Sequence, residues 1–264
     1  MRWKLISSRR GSAVWKGTGP AASVALKAGQ GEGAPITSRE IAVAELMPGH
    51  SPLIASGRNE TTSWLITPWH DGPSAWDVFH TVRTTHQGTP EARDAAVDLC
   101  LAVADLHRQG WVHGDLQPEH AIHTNAGVQL IDCTWAAFPG LTPSGTFQGG
   151  LPHLLAPELA AEIEAGHRPV KVTPAAETYT LAATLWYAST GAWPRNYAAV
   201  GATPEGILTS SKIRGLIAWR HVPFTDAPQW PSLLTTLREA LAGSHERRPS
   251  ALEMAYLLTA VPMN

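Results

Sequence analysis

The chain has 264 residues, enough for one large domain or two small lobes with a sizeable core. Hydrophobic residues make up 44% and charged ones 16%, an ordinary globular composition; a net charge of -2 with no Lys/Arg block argues against nucleic acid or an anionic membrane as partner. The two cysteines, Cys100 and Cys133, form no disulfide framework and point to a reducing compartment. No signal peptide is evident at the start. Of the longest apolar stretches, Asp98 and Asp105 interrupt Ala95–Leu106, and Leu181–Ala188 is too short to span a bilayer. The expectation is a cytoplasmic protein.

In chain order, Leu5-Ile6, Ala13–Lys16 and Val24–Lys27 read as short strands separated by Gly, Ser and Pro. Ser38 is expected to cap a helix over Arg39–Met47 that stops at Pro48-Gly49, and Trp64–Thr67 reads as a buried strand. From residue 71 the pattern turns helical. Thr89-Pro90-Glu91 is a strong helix start, with a hydroxyl cap, proline in the first turn and an acid at the positive end of the dipole. Ala96, Leu99, Val103 and Leu106 follow on one face, and Gly110 ends that helix. Two short strands are expected at Ala121–His123 and Val128–Ile131. Helices follow at Glu177–Thr190, Ser232–Ala242 and Ala251–Ala260. Residues 134–153, rich in Gly, Pro, Ser and Thr, read as a surface loop. A strand-rich first quarter before a helical remainder suggests two lobes, residues 1–70 and 71–264.

Several short motifs fall in one order. His113-Gly-Asp-Leu-Gln-Pro-Glu-His120 is followed, seventeen residues after Asp115, by Leu130-Ile-Asp132. Upstream lies Val24-Ala-Leu-Lys27; downstream lie Gly150-Leu-Pro-His-Leu-Leu-Ala-Pro-Glu158, Glu177–Leu181 and Arg248-Pro-Ser250. This series resembles the protein-kinase-like superfamily over about residues 5–260, with the catalytic loop at 113–120. The resemblance implies an α+β, two-lobed fold: a small antiparallel sheet with one helix, and a larger, mainly helical lobe.

It also implies roles. Lys27 would hold ATP phosphates, with Glu40 as its carboxylate partner and Glu45 as runner-up; Glu40 better matches the distance to His50-Ser-Pro52. Asp132 would bind Mg²⁺, and Asp115 would orient the attacking hydroxyl. Thr67, Trp69 and His70 would form the gatekeeper and hinge, while Val14, Ala25 and Ile122 sandwich adenine. Because Pro68 has no N–H, the hinge donor would be His70 or Trp69. His113 is expected to anchor the loop, Glu177 to accept its backbone N–H groups, and Glu158 to pair with Arg248.

The sequence departs from the pattern at several places. Ser7, Arg9 and Ser12 stand where three glycines usually cover the phosphates, and Gly114 where arginine usually sits. Gln117 replaces lysine, His120 replaces the second metal ligand, Cys133-Thr134 replaces Phe-Gly, and Leu151 replaces a threonine. His120 remains a metal candidate beside Asp132, in a one-metal site or one that takes a different divalent ion. His120 and His123 read as ordinary hydrogen-bonded histidines, not a metal pair. Trp135 is placed to line or block the cleft. The implied activity is Mg²⁺–ATP-dependent transfer of a phosphoryl group to a protein, peptide or small-molecule hydroxyl. The alternative is a pseudokinase acting on a regulatory protein partner.

Overall fold

The computed structural model describes residues 1–47, 52–202 and 209–263. Five strands form one antiparallel sheet: β1 (Arg2–Arg9), β2 (Ser12–Thr18), β3 (Ser23–Gln30), β4 (Ala55–Arg58) and β5 (Thr62–Pro68), in the order β1-β2-β3-β5-β4. β1 and β2 close through Arg10 and Gly11, at φ 50° and 72°. Left-handed conformations at both central positions give a two-residue hairpin whose twist matches its strands. β4, Ala-Ser-Gly-Arg, has no β-branched or aromatic residue, so it carries no strand signal of its own and forms by pairing with β5.

One helix, α1 (Gly33–Leu46), packs on this sheet. It starts well before the expected Ser38 cap, and Glu32 at its head makes no side-chain cap. Pro35 falls in the first turn, where a missing N–H costs nothing, so the helix runs through Gly33-Ala-Pro instead of beginning after it. The expected stop at Pro48-Gly49, and His50, lie outside the described residues.

The remainder is mainly helical. It contains α2 (Ala75–Val78), α3 (His80–Thr85), α4 (Pro90–Arg108), α5 (Pro157–Glu164), α6 (Pro174–Thr190), α7 (Ser210–Ala218), α8 (Pro231–Ala242) and α9 (Ala251–Thr259). A small hairpin, β6 (Ala121–Thr124) with β7 (Gly127–Leu130), interrupts them. The architecture is thus α+β, a small antiparallel sheet beside a helical body, consistent with a two-lobed kinase-like fold.

α4 begins as expected: the Thr89 hydroxyl accepts the Ala92 N–H at 3.1 Å, and Gly110 lies at φ 81° just past the end. α6 starts earlier than Glu177, because Thr173 caps it and Pro174 takes the first position. Leu181, Leu185 and Trp186 of α6 are fully buried and form the centre of the core, against Leu99, Val103 and Leu106 of α4 and Leu233 and Leu237 of α8. α5, α7 and the short α2 and α3 are not among the expected helices; each is held by burying one or a few apolar residues against this core. Among the described residues no helix is long and apolar enough to cross a membrane.

Candidate active site

The sheet presents alternate residues to one face. Val14, Lys27 and Leu65 share one rung of the ladder, and Ala25 and Thr67 share another two residues along. All five line a cavity of about 290 Å³ between the sheet and the β6–β7 hairpin, close to the size of small ligand pockets. Ile122 lies opposite, on β6, and Trp69 and His70 border one end. The Trp69 N–H is taken by the Ser23 carbonyl at 3.1 Å, so it is not free to act as the expected hinge donor.

At the other end the Lys27 ammonium sits 2.5 Å from Glu40 Oε2 and 2.8 Å from Asp132 Oδ1. Burial alone would lower the Lys27 pKa, but the two carboxylates outweigh it and hold the amine charged. Burial likewise would raise Asp132, and Lys27 with the His120 ring and the Thr134 hydroxyl drives it below the usual carboxylate range instead. Glu45 pairs with exposed Arg58 at 3.5 Å, so Glu40 is the lysine's helix partner.

Thr134 completes this cluster and was not anticipated from sequence. Its hydroxyl lies 2.9 Å from Glu40 Oε2 and 3.0 Å from Asp132 Oδ1, with Lys27 Nζ at 3.5 Å. Nearby, Arg39 donates to the carbonyls of Thr142 at 2.9 Å and Ala136 at 3.2 Å. Arg39 belongs to no motif, and Thr134 departs from the pattern at its position; the fold brings both to the site.

The catalytic-loop segment is held from beneath. Glu177, fully buried, accepts the N–H groups of His113 at 3.0 Å and Gly114 at 2.7 Å, and binds His107 Nε2 at 2.9 Å. His113 bridges the loop to β7: its Nε2 donates to the Ile131 carbonyl at 3.0 Å and its Nδ1 accepts the Asp115 N–H at 3.2 Å. Burial lowers its pKa, and it serves as an anchor. Gly114 lies at φ 78°, and a Cβ there would come 2.6 Å from the Trp135 carbonyl, so no larger residue fits. Trp135 itself is absent from the cavity wall. It packs on Phe147 with ring centroids 5.7 Å apart, because the 133–135 turn directs it into the helical body.

Asp115 lies off the cavity wall, under the segment 149–151. Gln117 Nε2 donates to its Oδ1 at 3.0 Å, and the Leu151 N–H faces the same carboxylate, where a threonine hydroxyl was missed in sequence. Burial, then the Asp132 charge, pushes Asp115 up to about 6. His120 belongs to the 3₁₀ turn Pro118–His120 and His123 to β6. His120 Nδ1 contacts the Asp115 carbonyl at 2.9 Å, and its Nε2 lies 3.7 Å from Asp132 Oδ2. The expected Glu158–Arg248 pair is present, with Arg248 Nη2 at 2.8 Å from Oε2 and a second, shorter contact through Nη1.

No protein-family model matches the chain. It is 24% identical over 189 residues to the serine/threonine-protein kinase STY46 of Arabidopsis thaliana, across 66% of this chain and 31% of that protein. It is 25% identical over 161 residues to the serine/threonine-protein kinase AfsK of Streptomyces griseus, across 60% of this chain and 19% of that protein. The chain thus spans less than a third of the length of these curated relatives. These partial likenesses and the fold support a protein-kinase-like relationship.

Proposed function

We propose that this chain is a kinase-like phosphotransferase that moves the γ-phosphoryl of ATP to a hydroxyl of a protein, peptide or small molecule. In this reading residues 1–70 form the nucleotide lobe and residues 71–264 the lobe carrying the acceptor chemistry. The observation that carries it is Lys27, clamped between Glu40 and Asp132 at one end of a cavity whose other end offers Thr67 and His70. A fixed ammonium beside an ionised carboxylate suits phosphate and a divalent cation, since phosphoryl transfer depends mainly on positioning and charge neutralisation.

The donor set fits a cation shared with phosphate. No group of three or more His, Cys, Asp and Glu able to hold a metal occurs among the described residues. Mg²⁺ in nucleotide sites commonly uses one or two carboxylates plus phosphate oxygens, so Asp132 suffices as an anchor. With His120 Nδ1 held by the Asp115 carbonyl, Nε2 is the ring nitrogen that faces Asp132 Oδ2, 3.7 Å away. His120 and Asp132 would hold the cation, which supplies neutralisation of the phosphate charge. Lys27 fixes the phosphates, Glu40 and Thr134 fix Lys27, and Asp115 orients the acceptor hydroxyl and takes its proton at a carboxylate oxygen.

The test is ATP turnover and autophosphorylation by the full chain with Mg²⁺ or Mn²⁺. Asp132→Asn and Asp115→Asn should each lower the rate by roughly 10²–10⁴-fold. Turnover that survives both changes removes the mechanism.

The surroundings of Asp115 favour a second reading, a nucleotide-responsive regulator. Gln117 occupies Oδ1, and Gly150 lies so close that a Cβ there would fall 2.2 Å from that atom. Thermal stabilisation by ATP without turnover would select it.

A further inference from the structure

The chain between β1 and β2 is a two-residue turn and not an extended loop. β1 pairs with β2 as far as Arg9 opposite Ser12, and only Arg10 and Gly11 remain to close the hairpin. The turn is seated on its neighbours: the Gln30 N–H donates to the Gly11 carbonyl at 2.8 Å, and a Cβ on Gly11 would lie 2.9 Å from Gly33 N at the head of α1. Such a turn offers no open loop of backbone N–H groups to surround a phosphate.

The strand register shows what stands there instead. Cavity-lining residues fall on alternate rungs: Ala25 with Thr67, then Ser7, Val14, Lys27 and Leu65. The next rung on that face carries Arg9, Ser12 and Gly29, and Arg9 also lines the cavity. Arg9 therefore lies two residues, about 7 Å, beyond the Lys27 rung, on the side away from Thr67 and the hinge. A nucleotide with its base at the hinge and its inner phosphates at Lys27 would direct its outermost phosphate toward this rung.

Charge bookkeeping points the same way. The single positive charge of Lys27 already faces Glu40 and Asp132, and Glu119 adds a further carboxylate to the wall. The Arg9 side chain is exposed and makes no hydrogen bond or ion pair among the described residues, so it is the one uncommitted Lys or Arg side chain of that wall. We propose that Arg9 binds the terminal phosphate of a nucleoside triphosphate, supplying from a side chain what backbone amides of a flexible loop would otherwise supply. The inference rests on the nucleotide reading given above. A guanidinium suits the task because its fork of donors engages two phosphate oxygens at once.

Isothermal titration of the full chain with ATP, ADP and adenosine, for wild type, Arg9→Ala and Arg9→Lys, tests it. Arg9→Ala should weaken ATP binding by roughly tenfold or more, the loss expected for one charged hydrogen-bonding group. ADP should lose less, adenosine nothing, and Arg9→Lys should recover part of the ATP affinity. An unchanged unliganded melting temperature will show that the exposed substitution has spared the fold. If Arg9→Ala keeps the wild-type ratio of ATP to adenosine affinity, whether both hold or both fall, the role of Arg9 is overturned while the nucleotide site stands. If wild type binds none of the three ligands, both are overturned.

Discussion

Asp115 and Asp132 are neighbours whose surroundings drive their acidities apart. Lys27 neutralises Asp132, whereas Asp115 is under-solvated and sees Asp132 as a like charge, which raises it to about 6. A carboxyl with a folded pKa above its ordinary 3.8 costs the fold stability once it ionises. In metal- and nucleotide-free buffer Asp115→Asn should therefore melt higher than wild type above about pH 6. That gain should shrink as pH falls and vanish below pH 3.8, where the carboxyl is protonated in both states. Melting curves across that range check the sign. His120 sets a second expectation at this scale. An imidazole nitrogen facing Asp132 favours a transition ion over Mg²⁺, so Mn²⁺ with ATP should bind more tightly than Mg²⁺ with ATP. His120→Asn should narrow the difference, measured by electron paramagnetic resonance of free Mn²⁺.

At the scale of elements, α1 is tied to the segment that follows Asp132. Thr134, 2% exposed, places one hydroxyl proton between two carboxylates and offers its lone pair to Lys27. Thr134→Val keeps the shape and deletes the hydroxyl, leaving buried carboxylate oxygens short of a partner. It should lower stability by about 1–3 kcal/mol in urea unfolding. Arg39, one residue before Glu40, holds the carbonyls of Ala136 and Thr142. Arg39→Ala should speed amide exchange over residues 136–147 while leaving α4 and α6 protected, because those helices are held by the core and not by this contact. Uniform loss of protection across the chain would contradict the assignment.

For the whole molecule, two anions organise the helical body, Glu177, which is buried, and Glu158, which is half-buried beside the buried Arg248. Glu177 on α6 collects His107 at the end of α4 and the adjacent His113 and Gly114 amides. Burial would raise its pKa, but these partners, His107 first, hold it below the ordinary 4.5, so its contribution is present above that value and is lost as pH falls. Glu158 on α5 fixes Arg248, whose side chain is fully buried and also donates to the Ala175 carbonyl at 3.0 Å. Removing the Glu158 carboxylate strands the buried Arg248 guanidinium. Glu158→Ala should cost about 3–5 kcal/mol, read as a lower urea midpoint with an unchanged slope.

Elements whose signal is local were legible in the chain itself: Thr89-Pro90 before a one-faced apolar pattern, the strand Val24–Lys27, Gly191 closing α6. These depend on backbone geometry and hydrogen bonding within a few residues, which the sequence states directly. The motif order also points to Lys27, Glu40, Asp132 and residues that line the cavity. What the sequence by itself did not determine was decided by contacts between distant segments. β4 exists because β5 pairs with it, and Trp135 turns into the body instead of the cleft. Thr134 and Arg39 reach Glu40 and the 136–142 segment across roughly a hundred residues of chain, and Asp115 lies beneath Gly150. Such proximity leaves no periodicity or spacing to read, since it arises only when separate elements pack on one core.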